Sequence, residues 1–132
     1  MIEYAAPALA RPDPMANLTD AVARHAREAP GAVLFSRRRE ERWEDVTAAR
    51  FHQEVLALAK GLVAAGIQPG DRVALLSPTR YEWTLADYAI WFAGAVGVPI
   101  YETSSAEQVA WILGDSGAVA CVAGTAALAA TA

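Results

Sequence analysis

The chain has 132 residues, of which 55% are hydrophobic and 20% are charged, and this composition is typical of globular rather than disordered proteins. A chain of this length has room for one domain, or for part of one. Its formal net charge of -4 argues against nucleic acid as the main partner, because duplex binding needs a basic face. The single cysteine, Cys121, excludes a disulfide within the chain and favours a reducing compartment.

Neither a secretory signal nor a membrane span is recognisable in the sequence. Met1 to Ala10 lacks both the basic start and the continuous apolar core of a signal peptide. The longest uncharged apolar run, residues 88–101, is shorter than the roughly 20 residues that a membrane span needs. We therefore expect a cytoplasmic protein without a membrane span, and the sequence leaves peripheral contact with a membrane open.

Prolines argue against regular secondary structure at the N-terminus. Three of them stand among small residues and oppose both helix and strand, so residues 1–16 are predicted to form an extended arm. Residues 17–132 are predicted to form a single domain. Asn17 is positioned to cap its first helix, which the apolar spacing predicts over residues 18–28.

Two short strand patterns with a charged tip predict an antiparallel hairpin. The strands cover residues 32–36 and 41–46, and the tip between them, residues 37–40, reads Arg-Arg-Arg-Glu. Three consecutive arginines could form a phosphate or nucleic-acid patch, but acidic residues follow at positions 40, 41, 44 and 45. The tip is therefore predicted to be a solvated, charge-balanced turn.

The clearest helix pattern runs from Thr47 to Ala65, where apolar residues at steps of three and four form one stripe. Gly66 is predicted to end this helix as the left-handed residue after its C-cap. Ile67 is then predicted to fold back onto the last turn.

Short apolar runs alternate with helix-length segments between residues 66 and 124. Three runs are predicted to be buried strands: Val73 to Leu76, Val98 to Tyr101 and Ala118 to Ala123. The two segments between them begin with T-x-x-E and S-x-x-E capping boxes, at Thr79 and Ser104. This order predicts an α/β fold, in which a parallel sheet with right-handed β-α-β crossovers is preceded by the N-terminal helix and the hairpin.

Large aromatic residues open the helix that is predicted to follow Thr79. Tyr81 and Trp83 begin a stripe that continues through small residues. Because aromatics at helical spacing are more often core than ligand-binding, we predict that Trp83 is buried against the sheet; the alternative is that it forms the wall of a pocket.

Four strings in this region carry a resemblance to a known family. They are GDRVALLS at residues 70–77, RYEW at 80–83, VPIYETSSAEQ at 98–108 and DSGA at 115–118. Together they resemble the N-terminal part of the acyl-adenylate-forming, or AMP-binding, superfamily. The first string is shared by many adenylating enzymes, whereas RYEW and PIYETSSAEQ are narrower and resemble the long-chain fatty acid:CoA ligases. The resemblance makes residues 17–132 the N-terminal portion of an incomplete AMP-binding domain, truncated from a larger adenylate-forming enzyme.

The resemblance implies ATP-dependent, AMP-forming activation of a fatty acid to its acyl-CoA. ATP, CoA and Mg²⁺ are implied for the full-length enzyme, which would bind fatty acid, ATP and CoA. In that family the phosphate-binding loop, the acidic groups and the catalytic lysine lie downstream of the matched part. The single lysine of this chain, Lys60, stands in the middle of a predicted helix. We therefore assign no catalytic, cofactor-binding or metal-binding residue here, and we do not expect the 132-residue chain alone to be active.

Ligands of parallel sheets gather outside the carboxyl ends of the strands. Here those ends are the loops at residues 77–80, 102–105 and 124–125. The first two lead into helix N-termini, which favour anions through free amides and the helix dipole. A simpler interpretation is that their hydroxyl groups only cap the helices.

Two other hypotheses remain open at the level of sequence. The chain could be a free-standing, non-catalytic α/β module that binds a partner or a small anion at the two capped loops. It could also come from another acid:CoA ligase of the superfamily, such as one for an aryl acid. Under the truncation hypothesis, a bare sheet edge and uncovered apolar helix faces predict that the isolated chain self-associates.

Overall fold

The computed structural model describes residues 13–132, so most of the arm predicted at 1–16 lies outside the described residues. Residues 13–16 form a turn in which the amide of Ala16 donates to the carbonyl of Asp13 at 3.1 Å. The domain boundary between residues 16 and 17 stays a prediction.

Helices and strands follow one another along residues 13–132 as an N-terminal helix, a hairpin and an alternating α/β region. They are α1 (Asp20–Glu28), β1 (Val33–Arg39), β2 (Arg42–Thr47), α2 (Ala48–Ala64), β3 (Arg72–Leu76), α3 (Tyr81–Phe92), β4 (Val96–Ile100), α4 (Ala106–Ser116), β5 (Ala120–Ala123) and α5 (Ala126–Ala129). β1 and β2 pair antiparallel, and the other strands form a parallel sheet in the order β4-β3-β5. The predicted α/β class is confirmed. None of the described helices is long and apolar enough to cross a membrane.

The order of the parallel sheet places helices on both of its faces. The chain moves from β3 to β4 on one side and then returns past β3 to β5 on the other. Two crossovers of the same hand that run in opposite directions must lie on opposite faces. Accordingly Ile90 of α3 packs against Val73, whereas Val109 of α4 packs against Ala74 and Leu76. Successive residues of β3 therefore belong to two separate cores.

Small residues let α3 pack closely against α2. Ala59 of α2, Ala89 of α3 and Ala93, the C-cap of α3, are buried and form one cluster. α2 thus forms an outer layer that covers α3 on the side away from the sheet.

Two parallel strands begin at other positions than predicted. β4 begins at Val96, because its pairing with β3 starts where Arg72 lies opposite Val96. Tyr101, which was predicted to end this strand, lies beyond the pairing and is 81% exposed. β5 begins at Ala120, whose partner is Val73. The length of the central strand thus sets the bounds of both neighbours.

The capping box of α4 is displaced by one residue from its predicted position. Ser105, rather than Ser104, is the N-cap, and its hydroxyl accepts from the amide of Gln108 at 3.2 Å. The side chain of Gln108 accepts in turn from the amide of Ser105 at 2.9 Å. Ser104 is already held in the preceding turn, where its amide donates to the carbonyl of Tyr101 at 3.0 Å.

Two other helices begin later than predicted. α1 begins at Asp20 because the side chain of Asn17 accepts from the amide of Thr19 at 2.9 Å, which closes a turn before the helix starts. α3 begins after Arg80 rather than after Thr79, and no side chain of the described residues caps it. The amide of Trp83 donates to the carbonyl of Arg80 at 3.0 Å, which leaves the amides of Tyr81 and Glu82 as donors at the start of the helix.

The prediction for α2 is confirmed at both ends. The hydroxyl of Thr47 accepts from the amide of Arg50 at 3.3 Å. Gly66 has a φ of 99°, a left-handed conformation that costs glycine little. Ile67 is buried, and its amide donates to the carbonyl of Leu62 at 3.1 Å.

The hairpin is longer than predicted and includes the arginines in a strand. β1 continues to Arg39, and the turn lies at Glu40 and Glu41. The ladder pairs Arg37 with Glu44. Because side chains alternate along a strand, Arg37 faces inward and is only 8% exposed, while Arg38 faces outward. The prediction of a solvated turn is therefore wrong for Arg37.

A network of ion pairs joins the hairpin to α2 and α3. Arg37 donates to Glu44 at 3.0 Å and to the two carboxylate oxygens of Glu54 at 3.2 and 3.4 Å. Arg50 donates to the same carboxylates, at 2.7 Å to Glu44 and 3.0 Å to Glu54. The hydroxyl of Tyr81 donates to Glu54 at 2.6 Å, and the Arg37 guanidinium lies 4.8 Å from the centre of the Tyr81 ring. Glu54 thus links three elements that are distant in sequence.

The surroundings of this network favour the ionised forms of Glu44 and Glu54 and the neutral form of Tyr81. Desolvation opposes the charge of Glu54, but hydrogen bonds from Tyr81 and Arg50 and the charge of Arg37 hold its pKa below the ordinary value. Hydrogen bonds from Arg50 and Arg37 lower the pKa of Glu44. Burial, and then the hydrogen bond to Glu54, raise the pKa of Tyr81, so its phenol stays a donor.

Aromatic rings pack beside the network. Phe51 is 1% exposed, and its ring centre lies 4.8 Å from that of Phe35, 6.2 Å from Tyr81 and 5.5 Å from Tyr88. The rings meet in tilted or edge-to-face arrangements, which aromatic pairs prefer. Phe51 therefore brings the hairpin, α2 and α3 into one core.

Trp83 is only partly buried, so the prediction that it packs fully against the sheet is wrong.

We expect Phe51→Ala to lower the free energy of unfolding by about 3–5 kcal/mol, the usual cost of deleting a core aromatic. Trp83→Ala should lower it by about 1–2 kcal/mol, because part of the indole is already in contact with water. Equilibrium urea denaturation of the two variants measures both losses. Equal losses would contradict the difference in burial.

The ion-pair network predicts a loss of stability in acid. The folded-state pKa values of Glu44 and Glu54 lie below those of the unfolded chain, so the unfolded chain binds more protons in mild acid. The stabilisation is complete above the unfolded pKa of about 4.3 and is lost as the pH falls through the lower folded values. Glu54→Gln should flatten this pH dependence. It should also lower the free energy of unfolding at neutral pH by about 2 kcal/mol, because the buried Arg37 loses one of its two carboxylate partners.

Chemical denaturation between pH 7 and pH 3 measures this effect. Glu82→Gln is the matched control, because Glu82 is 58% exposed and its pair with Arg80 spans 3.4 Å. Such an exposed pair contributes little to stability. A Glu54→Gln variant that keeps the full acid dependence of the parent chain would contradict the assignment of that dependence to the network.

Candidate functional site

The carboxyl ends of β3 and β4 lie side by side at one end of the sheet. The helix after β3 packs on one face and the helix after β4 on the other, so the two connecting loops diverge. Parallel sheets bind their ligands outside the carboxyl ends of their strands. The structure has a cleft of about 290 Å³ at this place, which we call the β3–β4 cleft. It is lined by Ser77, Thr79, Trp83, Pro99, Ile100, Tyr101 and Glu102.

Apolar and aromatic surface forms much of this β3–β4 cleft. Trp83, in the first turn of α3, is half-buried and contributes an indole wall. Ile100 is buried at the end of β4, and the exposed Tyr101 follows it. Among the described lining residues, Glu102 is the one that carries a charge. The pocket alternative for Trp83 thus describes its position better than the core prediction does.

A close backbone approach connects the β3 loop to the end of β5. The amide of Gly124 donates to the carbonyl of Leu76 at 2.9 Å. A Cβ atom at Gly124 would collide with the side chain of Ser77, which is itself buried, so glycine is required at this position. The guanidinium of Arg80 donates to the carbonyl of Gly124 at 3.0 Å. Arg80 therefore extends toward β5 and is not among the residues that line the β3–β4 cleft.

The residues of this cleft do not fit a magnesium–triphosphate group. Its lining holds a carboxylate, Glu102, which repels phosphate, and Lys60 lies exposed on α2 outside the lining. Among residues 13–132, no group of three or more His, Cys, Asp or Glu side chains is placed to hold a metal ion. Ser105 caps α4 and Thr79 caps no helix. The simpler interpretation of the β4 loop, that its hydroxyl group serves as a cap, is therefore correct for Ser105.

Two titratable groups with raised pKa values lie outside the cleft lining. Burial raises the pKa of Asp87 in α3, and its carboxylate stands against Gly97, where a Cβ would come within 3.0 Å of an oxygen. Burial also raises the pKa of Cys121 in β5, so its thiol is a poor nucleophile. Sequence reasoning gave no role to Asp87 or Gly97, because this contact joins α3 to β4 through space.

Comparison with known proteins matches most of the chain to one enzyme family. A family model described as AMP-binding enzyme matches residues 22–132. The long-chain-fatty-acid–CoA ligase FadD15 of Mycobacterium bovis is 50% identical over 109 residues, which cover 83% of this chain and 18% of that protein. A feruloyl-CoA synthase of an Amycolatopsis species is 41% identical over 73 residues, which cover 55% of this chain and 15% of the relative.

The fold is also that of solved relatives. The N-terminal domain of FACL13 from Mycobacterium tuberculosis matches with a TM-score of 0.80 at 30% sequence identity, over 88% of this chain and 30% of that chain. This chain spans less than a fifth of the length of the FadD15 relative, at 18%. The resemblance carried by the four strings is thus confirmed. The chain belongs to the AMP-binding enzyme family, as a segment homologous to the N-terminal part of long-chain-fatty-acid–CoA ligases.

Proposed function

We propose that this chain is the N-terminal segment of an AMP-forming long-chain fatty acid:CoA ligase. The observation that carries the proposal is the 50% identity to a long-chain-fatty-acid–CoA ligase over 83% of the chain. The strings RYEW and PIYETSSAEQ, on which the resemblance rests, lie within β3–α4 and supply Trp83, Tyr101 and Glu102 to the β3–β4 cleft. The strings that most specifically resemble the long-chain ligases therefore contain residues of the candidate site.

The reaction of the whole enzyme activates a carboxylate, which is a poor electrophile by itself. An oxygen of the fatty carboxylate forms a bond to the α-phosphorus of ATP, and the bond to pyrophosphate breaks. The CoA sulfur, as thiolate, then attacks the acyl carbon, and AMP leaves with the electron pair of the broken bond. Bound Mg²⁺ supplies neutralisation of phosphate charge. No step of this chemistry is assigned to a residue of this chain.

The contribution of this segment is to build and hold one side of the sheet. β3 lies at the centre of the three described strands, and the Glu54 network fixes the start of α3, from which Trp83 reaches the cleft. We place the enzyme in the cytoplasm, where the single thiol of Cys121 stays reduced. Fatty acid, ATP and CoA are its proposed substrates.

A related enzyme for an aryl acid is the second candidate. The 41% identity to a feruloyl-CoA synthase favours it, but this match covers 55% of the chain, against 83% for the long-chain ligase. A free-standing module that binds an anion at the two capped loops has weaker support, because the cleft between those loops contains Glu102 and no lining cation among the described residues.

The complete reading frame that contains this segment provides the test. We expect its product to form long-chain acyl-CoA and release pyrophosphate with a fatty acid, ATP and CoA, and to use ferulate far more slowly. The isolated 132-residue chain should release no pyrophosphate above a protein-free control, because it contains none of the family's catalytic motifs. A frame that stops after Ala132 would favour the free-standing module. Preference for ferulate would favour the aryl-acid enzyme.

We also propose that the isolated chain self-associates. β4 and β5 each pair only with β3 among the described strands, so each has an unpaired edge. Val96 in β4, Trp111 in α4 and Val119 before β5 are 50%, 66% and 56% exposed. Unpaired edges and exposed apolar groups promote association.

Sedimentation at micromolar concentration measures this association. Val96→Lys should shift the chain toward monomer, because a charge on an edge strand opposes strand pairing between molecules. Val63→Lys is the matched control, since Val63 is 52% exposed but lies on α2, away from the sheet edges. A parent chain that sediments as a sharp 14.0 kDa monomer and melts cooperatively would contradict self-association.

A further inference from the structure

A second cleft opens where the hairpin meets the start of α3. Its volume is about 420 Å³. The residues that form most of its lining are Arg37, Arg38, Trp43, Arg80, Tyr81 and Glu82. It differs from the β3–β4 cleft in charge, because three of these six side chains end in guanidinium groups. We call it the arginine cleft.

The ion-pair network at the inner side of the arginine cleft is balanced in charge. Arg37 and Arg50 face the two carboxylates of Glu44 and Glu54. Arg39 also reaches Glu44, but it is 67% exposed and lies outside the cleft lining. Positive charge at the cleft therefore comes from its rim.

The rim of the cleft adds positive charge. Arg38 donates to a backbone carbonyl, that of Glu40, at 3.1 Å, and no salt bridge joins it to another described residue. Arg80 faces one carboxylate, Glu82, at 3.4 Å. Asp45 lies on the outer face of the hairpin, where it accepts from Ser36 at 2.7 Å, and Glu40 lies in the exposed turn whose carbonyl Arg38 contacts. Within the cleft lining, three guanidinium groups face one carboxylate, that of Glu82, although the chain as a whole is acidic.

Hydrogen-bond donors are also present at the inner end of the cleft. A guanidinium has five N–H donors. Three of those of Arg37 are used in its bonds to Glu44 and Glu54, and this side chain is held rigidly at 8% exposure. The N-terminus of α3, which contributes Tyr81 and Glu82 to the lining, has no side-chain cap among the described residues. Fixed guanidinium and amide donors of this kind bind phosphate oxygens well.

We propose that the arginine cleft binds the phosphate or diphosphate group of a small molecule. The site goes beyond the proposed ligase function, because the family's ATP-binding motifs are absent from this chain, and the proposal does not depend on that function. The exposed indole of Trp43, at 71%, lies beside the guanidinium groups and offers a flat apolar surface to the rest of such a ligand. Because Arg37 is recessed, it can be reached by a small anion that enters the cleft but not by the flat surface of a lipid bilayer.

Calorimetric titration of the 132-residue chain with inorganic pyrophosphate at low ionic strength tests this site. We expect saturable binding that weakens as salt is added. Arg38→Gln should raise the Kd about tenfold, the cost of losing one hydrogen bond from a charged donor. Arg24→Gln is the matched control, because Arg24 is an exposed arginine on α1 outside the cleft lining, and its Kd should equal that of the parent. Equal thermal melting of the three chains shows that neither substitution acts through folding.

A variant with the opposite effect makes the test sharper. Glu82→Gln removes the carboxylate that faces Arg80, so it should lower the Kd for pyrophosphate. Absence of saturable binding, or the same loss in Arg24→Gln and Arg38→Gln, would overturn the proposal. Binding to vesicles that contain phosphatidylglycerol, without binding of pyrophosphate, would also overturn it and would assign the arginines to a lipid surface.

Discussion

The structure depends on one carboxylate, that of Glu54, and on the buried guanidinium beside it. Arg37 enters the interior because β1 turns it toward α2, and burying an unpaired charge there would cost several kcal/mol. Glu54 removes that cost through two hydrogen bonds, and it also accepts from Tyr81 at the start of α3. The hairpin, α2 and α3 therefore have to be placed together. Phe51 then fills the space beside the network with apolar surface.

This arrangement determines where the two clefts lie. With the start of α3 held by Tyr81, Trp83 reaches the carboxyl end of the sheet and forms a wall of the β3–β4 cleft. On the other side, Arg80 and Tyr81 line the arginine cleft together with β1. One short helix start thus separates an apolar crevice that contains a carboxylate from a crevice with an excess of cations. The clefts favour different chemistry because opposite faces of the same turn contribute to them.

The chain belongs to the AMP-binding enzyme family, and it contributes a central strand that is covered on both faces and one wall of the β3–β4 cleft. The aligned part of the chain covers 18% of the length of the long-chain ligase relative. Among the described strands, β4 and β5 each keep one unpaired edge.

The amino-acid sequence by itself determined the order of the elements, the end of α2 at Gly66, the buried strand β3 and the family, whereas β4 and β5, which were also predicted to be buried, are partly exposed. These features depend on neighbours within a turn or a strand, and periodicity and capping residues report such neighbours directly. It did not determine the burial of Arg37, the position of Trp83 in a cleft, or which of two adjacent serines caps α4. Arg37 and Tyr81 reach Glu54 across 17 and 27 residues, and a charge pattern read locally shows only the acidic residues next to the arginines. Tertiary structure decided these points, because the free energy of burying a charge depends on partners that only the folded chain brings within hydrogen-bond distance.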